Sequence, residues 1–120
     1  MKQLLTAVDK MHREAFIMHR DLKTRNLLYS NEGLLKVCDF GLARVFQNSK
    51  VKQQYTNWVV TLWYRAPELL FGCDTYSEKV DMWSVGCIMA ELILREPIIC
   101  GKTELDQLER MFKVVGTPND

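Results

Sequence analysis

The 120-residue sequence predicts a mainly α-helical domain with one small β-hairpin. Three observations carry this. Leu4, Val8, Met11 and Ala15 recur at steps of four, three and four, the period of an amphipathic helix. Two strand-like runs, Leu27-Leu28-Tyr29 and Leu34-Leu35-Lys36-Val37, flank the turn-rich tetrad Ser30-Asn31-Glu32-Gly33. Residues 83–94 contain only Ser84, Gly86 and Glu91 outside an otherwise apolar run, and a helix apolar on all sides must be surrounded by protein.

Taken in order, the first helix is expected over residues 2–14, leading into Phe16-Ile17-Met18, a short apolar segment read as core. After the hairpin, Leu42-Ala43-Arg44-Val45-Phe46 gives way to Gln47-Asn48-Ser49-Lys50-Val51-Lys52-Gln53-Gln54. That second run is polar, cationic and without period, hence an exposed loop. Pro67 suits a first helical position and Gly72 a stop, which brackets a short helix over residues 68–71. Ser77 is placed to cap the long apolar helix. Thr103-Glu104-Leu105-Asp106 opens a last helix in capping-box style, with Leu105, Leu108, Phe112 and Val115 expected on its buried face and Gly116 and Pro118 ending it.

Composition narrows the functional classes. With 48% hydrophobic residues there is apolar mass for the core of one small domain. Sixteen basic against fifteen acidic side chains leave a formal charge of +1, so no global field draws the chain to nucleic acid or to a membrane surface, and any phosphate recognition must be local. Cys38, Cys73, Cys87 and Cys100 fit neither a zinc spacing nor a compact disulfide frame, which points to a reducing compartment. Asp9 and Lys10 interrupt the apolar start too early for a signal peptide, and no uncharged stretch approaches membrane-spanning length.

The chemistry concentrates in residues 19–41, where His19-Arg20-Asp21-Leu22-Lys23-Thr24-Arg25-Asn26 is followed thirteen residues later by Asp39-Phe40-Gly41. Phosphoryl transfer needs an oriented hydroxyl, an acceptor for its proton, and neutralisation of phosphate charge by Mg²⁺ and a cation. Asp21 can accept the proton, Lys23 can pair with the transferring phosphoryl group, and Asn26 with Asp39 can hold the metal through hard oxygen ligands. A hairpin between the two motifs returns Asp39 toward Asn26.

These residues, with Ala66-Pro67-Glu68 further on, resemble the catalytic loop, metal loop and activation-segment end of a protein kinase. Each tripeptide alone is a weak match; three in the right order and spacing are not. The resemblance spans essentially the whole chain and implies part of the large, C-terminal lobe of the kinase-like α+β fold, using ATP and Mg²⁺. It implies a structural His19 packed on Phe40, Leu28 as the floor under adenine, and Asp81 holding the backbone of the catalytic loop; as a simple alternative, Asp81 is a helix N-terminal acid. Glu68 matches a structural residue whose Arg partner belongs to later helices. Residues 19–28, Gly101-Lys102-Thr103-Glu104-Leu105-Asp106-Gln107-Leu108 and Gly116-Thr117-Pro118-Asn119 look nearest to the PITSLRE-type cyclin-dependent kinases and their plant relatives. The Gln/Lys-rich loop before Tyr55 and the pair Asn57-Trp58 depart from that pattern.

In cyclin-dependent kinases the threonine matching Thr56 is the activating phosphorylation site, and Arg20 and Arg44 match two of its three guanidinium partners. Thr61 would bond to Asp21 and Lys23. Val59, Val60 and Arg65 match the segment that receives the residue after the phosphoacceptor: Arg65 takes up the carbonyl near Val60, so a substrate N–H there would go unpaired at about 1–3 kcal/mol, whereas proline has none to lose. Preference for Ser/Thr-Pro substrates follows, with a cyclin as the family's partner and a nuclear or cytoplasmic location. The Gly-rich phosphate-covering loop, the Val-Ala-Ile-Lys-like strand and the partner-Glu helix of the small lobe do not occur in these 120 residues, nor do the last helices or the cyclin-binding helix. Losing such groups together costs at least about 10⁴ in rate, so the chain alone is expected to be inactive or nearly so. The alternative from another class is a non-catalytic, kinase-derived binding module or regulator.

Overall fold

The computed structural model describes residues 1–46 and 61–117. Thr56, Val59, Val60 and Pro118 lie outside the described residues, and with them most of the polar loop. The first helix, α1 (Lys2–Arg13), buries Leu4, Val8 and Met11 along one stripe. Ala15, the fourth member of that period, is exposed, because the helix ends at Arg13 and the chain turns through Phe16 at φ +52°. Phe16 is therefore not core. It is 39% exposed and meets Phe46 edge-on at 6.3 Å, while Met18 is the buried member of the apolar trio.

Strand β1 (Ile17–Met18) pairs antiparallel with β4 (Arg44–Val45), Met18 opposite Arg44. Between them β2 (Leu27–Tyr29) and β3 (Leu35–Val37) form the hairpin, Leu27 opposite Val37. Its turn closes where Ser30 N–H donates to the Leu34 carbonyl at 2.9 Å and Gly33 sits at φ +79°, a left-handed conformation that costs a side-chain-bearing residue about 1–2 kcal/mol. Gln3 fastens the hairpin to α1: its amide donates to the Gly33 carbonyl at 2.8 Å and accepts from Leu35 N–H at 2.7 Å.

Beyond the undescribed segment a 3-10 turn (Leu62–Tyr64) leads to α2 (Pro67–Leu70), one residue earlier than expected, with Pro67 in its first turn. The central helix α3 (Lys79–Leu94) starts four residues before the apolar run, and its first turn already carries buried Val80 and Asp81. Ser77 does not cap it as expected. Glu78 occupies the cap position, and the Ser77 hydroxyl lies 3.4 Å from Lys79 N. The helix is left partly uncovered: Val80, Asp81, Ser84, Val85, Cys87 and Ile88 are buried, but Met82, Met89 and Ile93, on one stripe, are 45%, 47% and 72% exposed, so among the described residues one face lies open.

Helix α4 (Glu104–Val115) begins with Thr103 Oγ1 accepting from Asp106 N–H at 3.2 Å. The returning carboxylate, Asp106, accepts from Lys102 N–H at 2.8 Å, one residue before the cap. The buried face also differs from expectation. Gln107 and Met111 are buried with Leu108 beside them, whereas Leu105 and Val115 point to solvent at 77% and 60% exposure.

Two clusters make the core. Leu4, Val8 and Met11 of α1 meet Leu22, Tyr64, Val85 and Ile88 in the larger; Leu70, Ile99 and Met111 form the smaller. Trp83 packs against both and joins them. Among the described residues no helix is long and apolar enough to cross a membrane.

Candidate active site

The loop from His19 to Asn26 hangs from the start of α3. Asp81, fully buried, accepts three hydrogen bonds at 2.8 Å: from His19 N–H and His12 Nε2–H on one oxygen and from Arg20 N–H on the other. A buried carboxylate is tolerated where its lone pairs are met in this way. The grip fixes Arg20 at φ +65°, a strained conformation for a residue with a side chain, and so turns the chain that carries Asp21.

His19 is fully buried and lies 4.9 Å from the Phe40 ring between centroids. Its Nε2 is 3.0 Å from the Cys38 carbonyl, which can only accept, and Asp21 N–H donates to Nδ1 at 3.3 Å. Together these partners define a neutral ring with its proton on Nε2. The imidazole is thus a strut between the loop and the end of the hairpin.

Three predicted residues converge directly. Lys23 Nζ donates to Asp21 Oδ2 at 2.8 Å, and Asn26 Nδ2 donates to the Asp21 carbonyl at 2.8 Å and to Oδ2 at 3.2 Å. Both side-chain contacts fall on Oδ2, which leaves Oδ1 without a side-chain donor among the described residues. The 3-10 turn Thr24–Asn26 folds Lys23 and Asn26 back onto Asp21.

Asp39 arrives through the backbone. Cys38 N–H donates to the Asn26 carbonyl at 2.9 Å as the last rung of the hairpin, and Asp39 follows at φ +62°. Gly41 N–H donates to its Oδ1 at 3.3 Å, and a Cβ on Gly41 would stand 3.2 Å from that oxygen. The donor set suits Mg²⁺: the Asn26 amide nitrogen is spent on Asp21, which leaves the amide oxygen as the remaining hard donor of that side chain, and among the described residues the Asp39 carboxylate accepts one long bond. No group of three His, Cys, Asp or Glu side chains is arranged for a metal among the described residues. One carboxylate and one amide match an ion that keeps water and phosphate oxygens in its remaining positions. Leu28, 55% exposed on β2, offers an apolar surface on the hairpin that joins the two motifs.

Other predicted residues stand elsewhere. Thr61 is exposed and makes no hydrogen bond to Asp21 or Lys23, whose ammonium and carboxylate pair with each other instead. Arg20 Nε donates to the Leu42 carbonyl at 2.7 Å and Nη1 to Tyr76 OH at 2.8 Å; Arg44 Nη1 donates to the Ala43 carbonyl at 2.8 Å. The β1–β4 pairing sets Arg44 opposite Met18, two residues before Arg20. Arg65 is paired with Glu104 at 3.0 Å. Glu68, half-buried in the first turn of α2, has no side-chain partner among the described residues.

Sequence reasoning missed a polar cluster behind the loop. Glu91 accepts from Thr24 Oγ1 at 3.1 Å and from Tyr64 OH at 2.5 Å, and those two hydroxyl oxygens are 3.1 Å apart. Burial, and then the bond to Glu91, pushes the Tyr64 hydroxyl up to about 12. The signal available was Glu91 itself, a lone acid in an apolar helix, which implies a buried partner. His12 gave no such signal, since it occupies a position that reads as helix surface.

Comparison with known proteins agrees with this geometry. A family model described as protein kinase domain matches residues 1–120. Over the full chain the sequence is 57% identical to cyclin-dependent kinase G-2 of Oryza sativa subsp. indica, 56% to cyclin-dependent kinase G1 of Arabidopsis thaliana and 57% to cyclin-dependent kinase 11B of Homo sapiens. The 120 residues span only 16%, 19% and 15% of those relatives. Strained turns at Arg20 and Asp39, a carboxylate clasping the loop between them and a full-length family match give one conclusion: the chain belongs to the protein kinase domain family.

Proposed function

We propose that these residues carry the acceptor side of phosphoryl transfer from ATP to a serine or threonine hydroxyl in a protein, in the manner of a cyclin-dependent kinase. The observation that carries the reading is the convergence of Lys23 and Asn26 on Asp21 within 2.8–3.2 Å, with Asp39 returned beside Asn26 by the hairpin. Asp21 Oδ1 takes the hydroxyl proton. Lys23 lies against the transferring group and offsets its charge. Mg²⁺, when bound, neutralises phosphate oxygens; Asn26 Oδ1 and the Asp39 carboxylate are the groups that hold it. Leu28 lies under the adenine. Thr56 is the phosphorylation site that Arg20 and Arg44 answer, and Val59, Val60 and Arg65 select proline after the acceptor. A cyclin is the expected partner, in the nucleus or cytoplasm.

The described residues supply one wall of a nucleotide site, and the 120 residues in isolation are proposed to transfer phosphate slowly or not at all. Calorimetric titration of the chain with ATP tests the reading: binding is expected to require Mg²⁺ and to weaken at least about tenfold in Asp39→Asn, the loss of one charged ligand. Binding indifferent to Mg²⁺ would overturn it. Asp21-dependent labelling of a Ser-Pro peptide by the chain alone would overturn the statement of inactivity. The open face of α3 favours a second reading, a non-catalytic module that docks a partner there. Under that reading Asp21→Asn leaves the biological effect intact; under the first it is lost.

A further inference from the structure

We propose that Thr24 is a positioning residue: through Glu91 it locks the 3-10 turn bearing Lys23 and Asn26 to the second 3-10 turn, Leu62–Tyr64, so that the two loops move as one. The inference rests on the phosphotransfer reading for its consequence but on geometry for its existence. Thr24 is the first residue of its turn, directly after Lys23 and two before Asn26. Its hydroxyl reaches Glu91 Oε1 at 3.1 Å, sixty-seven residues away in sequence, on α3.

Proton counting defines the direction of the bonds. With Glu91 ionised, both of its oxygens are acceptors, and Thr24 and Tyr64 have one hydroxyl proton each. The two protons go to Glu91, at 3.1 and 2.5 Å, and the 3.1 Å contact between the hydroxyl oxygens is maintained because Glu91 draws both inward. Tyr64 is itself fixed from behind, where Ser84 Oγ donates to its carbonyl at 2.7 Å. Tyr64 is 8% exposed and Ser84 6%, so little water competes for these bonds. The raised hydroxyl of Tyr64 keeps that proton in place across the range in which proteins work.

The consequence is a second support for the loop, independent of Asp81. Asp81 grips the loop at His19 and Arg20, ahead of Asp21; Glu91 grips it at Thr24, beyond Lys23. Asp21 and Lys23 lie between the two clamps. Without the second clamp Lys23 and Asn26 are free to swing about the first, and their distances to Asp21 widen. With it, any displacement of the Leu62–Tyr64 turn is passed to Lys23 and Asn26 through one carboxylate.

Thr24→Val removes the hydroxyl and keeps the shape; Thr24→Ser keeps the hydroxyl. Amide exchange across residues 22–26 of the full chain reads the lock whatever the chain catalyses. Thr24→Val is expected to speed it about tenfold, the loss of one part-buried hydrogen bond, while exchange in α1 stays at its wild-type rate and Thr24→Ser restores the loop. Mn²⁺–ADP affinity, read by Mn²⁺ electron paramagnetic resonance, reports positioning and is expected to fall about tenfold in Thr24→Val and to stay within about twofold in Thr24→Ser. Tyr64→Phe, which retains the ring, is the second variant and is expected to loosen residues 22–26 as well. Unchanged loop exchange in Thr24→Val overturns the lock. Faster exchange with unchanged Mn²⁺–ADP affinity overturns the positioning role. Wild-type chain that binds no Mn²⁺–ADP overturns the kinase reading and the positioning role with it, and the exchange arm then decides the lock alone.

Discussion

Replacing Asp81 by asparagine tests how the catalytic loop is held. The side chain is fully buried and meets His12, His19 and Arg20 at 2.8 Å each. Asparagine has nearly the same volume but one acceptor oxygen in place of two. If that oxygen faces His12 and His19, the NH₂ group meets Arg20 N–H donor to donor. Two donors, Arg20 N–H and the new NH₂ group, are then unmet at about 1–3 kcal/mol each, so the total is about 2–6 kcal/mol. Arg20 also has to keep φ +65° without the acceptor that fixed it. Against a total stability of about 5–15 kcal/mol, Asp81→Asn leaves a folded but weakened chain, whereas Asp81→Ala, with three donors unmet, costs about 3–9 kcal/mol and takes most of the margin. Urea unfolding followed by tryptophan fluorescence measures this, since Trp63 and Trp83 pack against the core. The expected result is a lower midpoint with the same slope. An Asp81→Asn chain within about 0.5 kcal/mol of wild type would refute the reasoning, because changes that small belong to surface substitutions.

Two further predictions concern the surroundings. Gly101→Ala would place a methyl 2.5 Å from Gln107 Cα and from its Oε1, and would break the 2.7 Å bond from Gly101 N–H to that oxygen; a loss of about 1–3 kcal/mol is expected in thermal unfolding, and an unchanged melting temperature would contradict it. Tyr64, raised from 10 to about 12 in the folded chain, holds a proton that the unfolded chain releases first. Its contribution is therefore fully present below pH 10 and lost as pH rises toward 12. Stability differences between wild type and Tyr64→Phe should shrink across that window, and parallel pH profiles would count against the cluster.

Much of the fold can be read from residue order because local rules and tertiary packing agree there. The stripe of Leu4, Val8 and Met11 and the tetrad ending in Gly33 became a helix and a hairpin turn at those positions. The failures share a cause: polar groups that belong to the interior. Gln107 is fully buried because its amide accepts from Gly101 N–H and donates to the Ile99 carbonyl at 3.3 Å, and hydropathy alone assigns such a residue to the surface. With Gln107 inward, Leu105 faces solvent two positions away. Phe16 failed differently, since a positive φ redirects the chain in a way that a run of three apolar residues does not disclose. At the site, Asp21, Lys23 and Asn26 were legible from their spacing, since a single turn joins them. Thr24, Tyr64 and Glu91 are separated by forty and twenty-seven residues, and only tertiary structure assembles them.

The central claim is that Asn26 and Asp39 border one metal–nucleotide site. Adding Mn²⁺ and ADP to ¹⁵N-labelled chain and following the loss of amide signals tests it most directly. The account predicts that the Asn26 side-chain amide and the backbone signals of Asp39, Phe40 and Gly41 broaden first and together, while those of α4 stay sharp. Broadening that is uniform, or that spares Asp39 while Asn26 disappears, would contradict it.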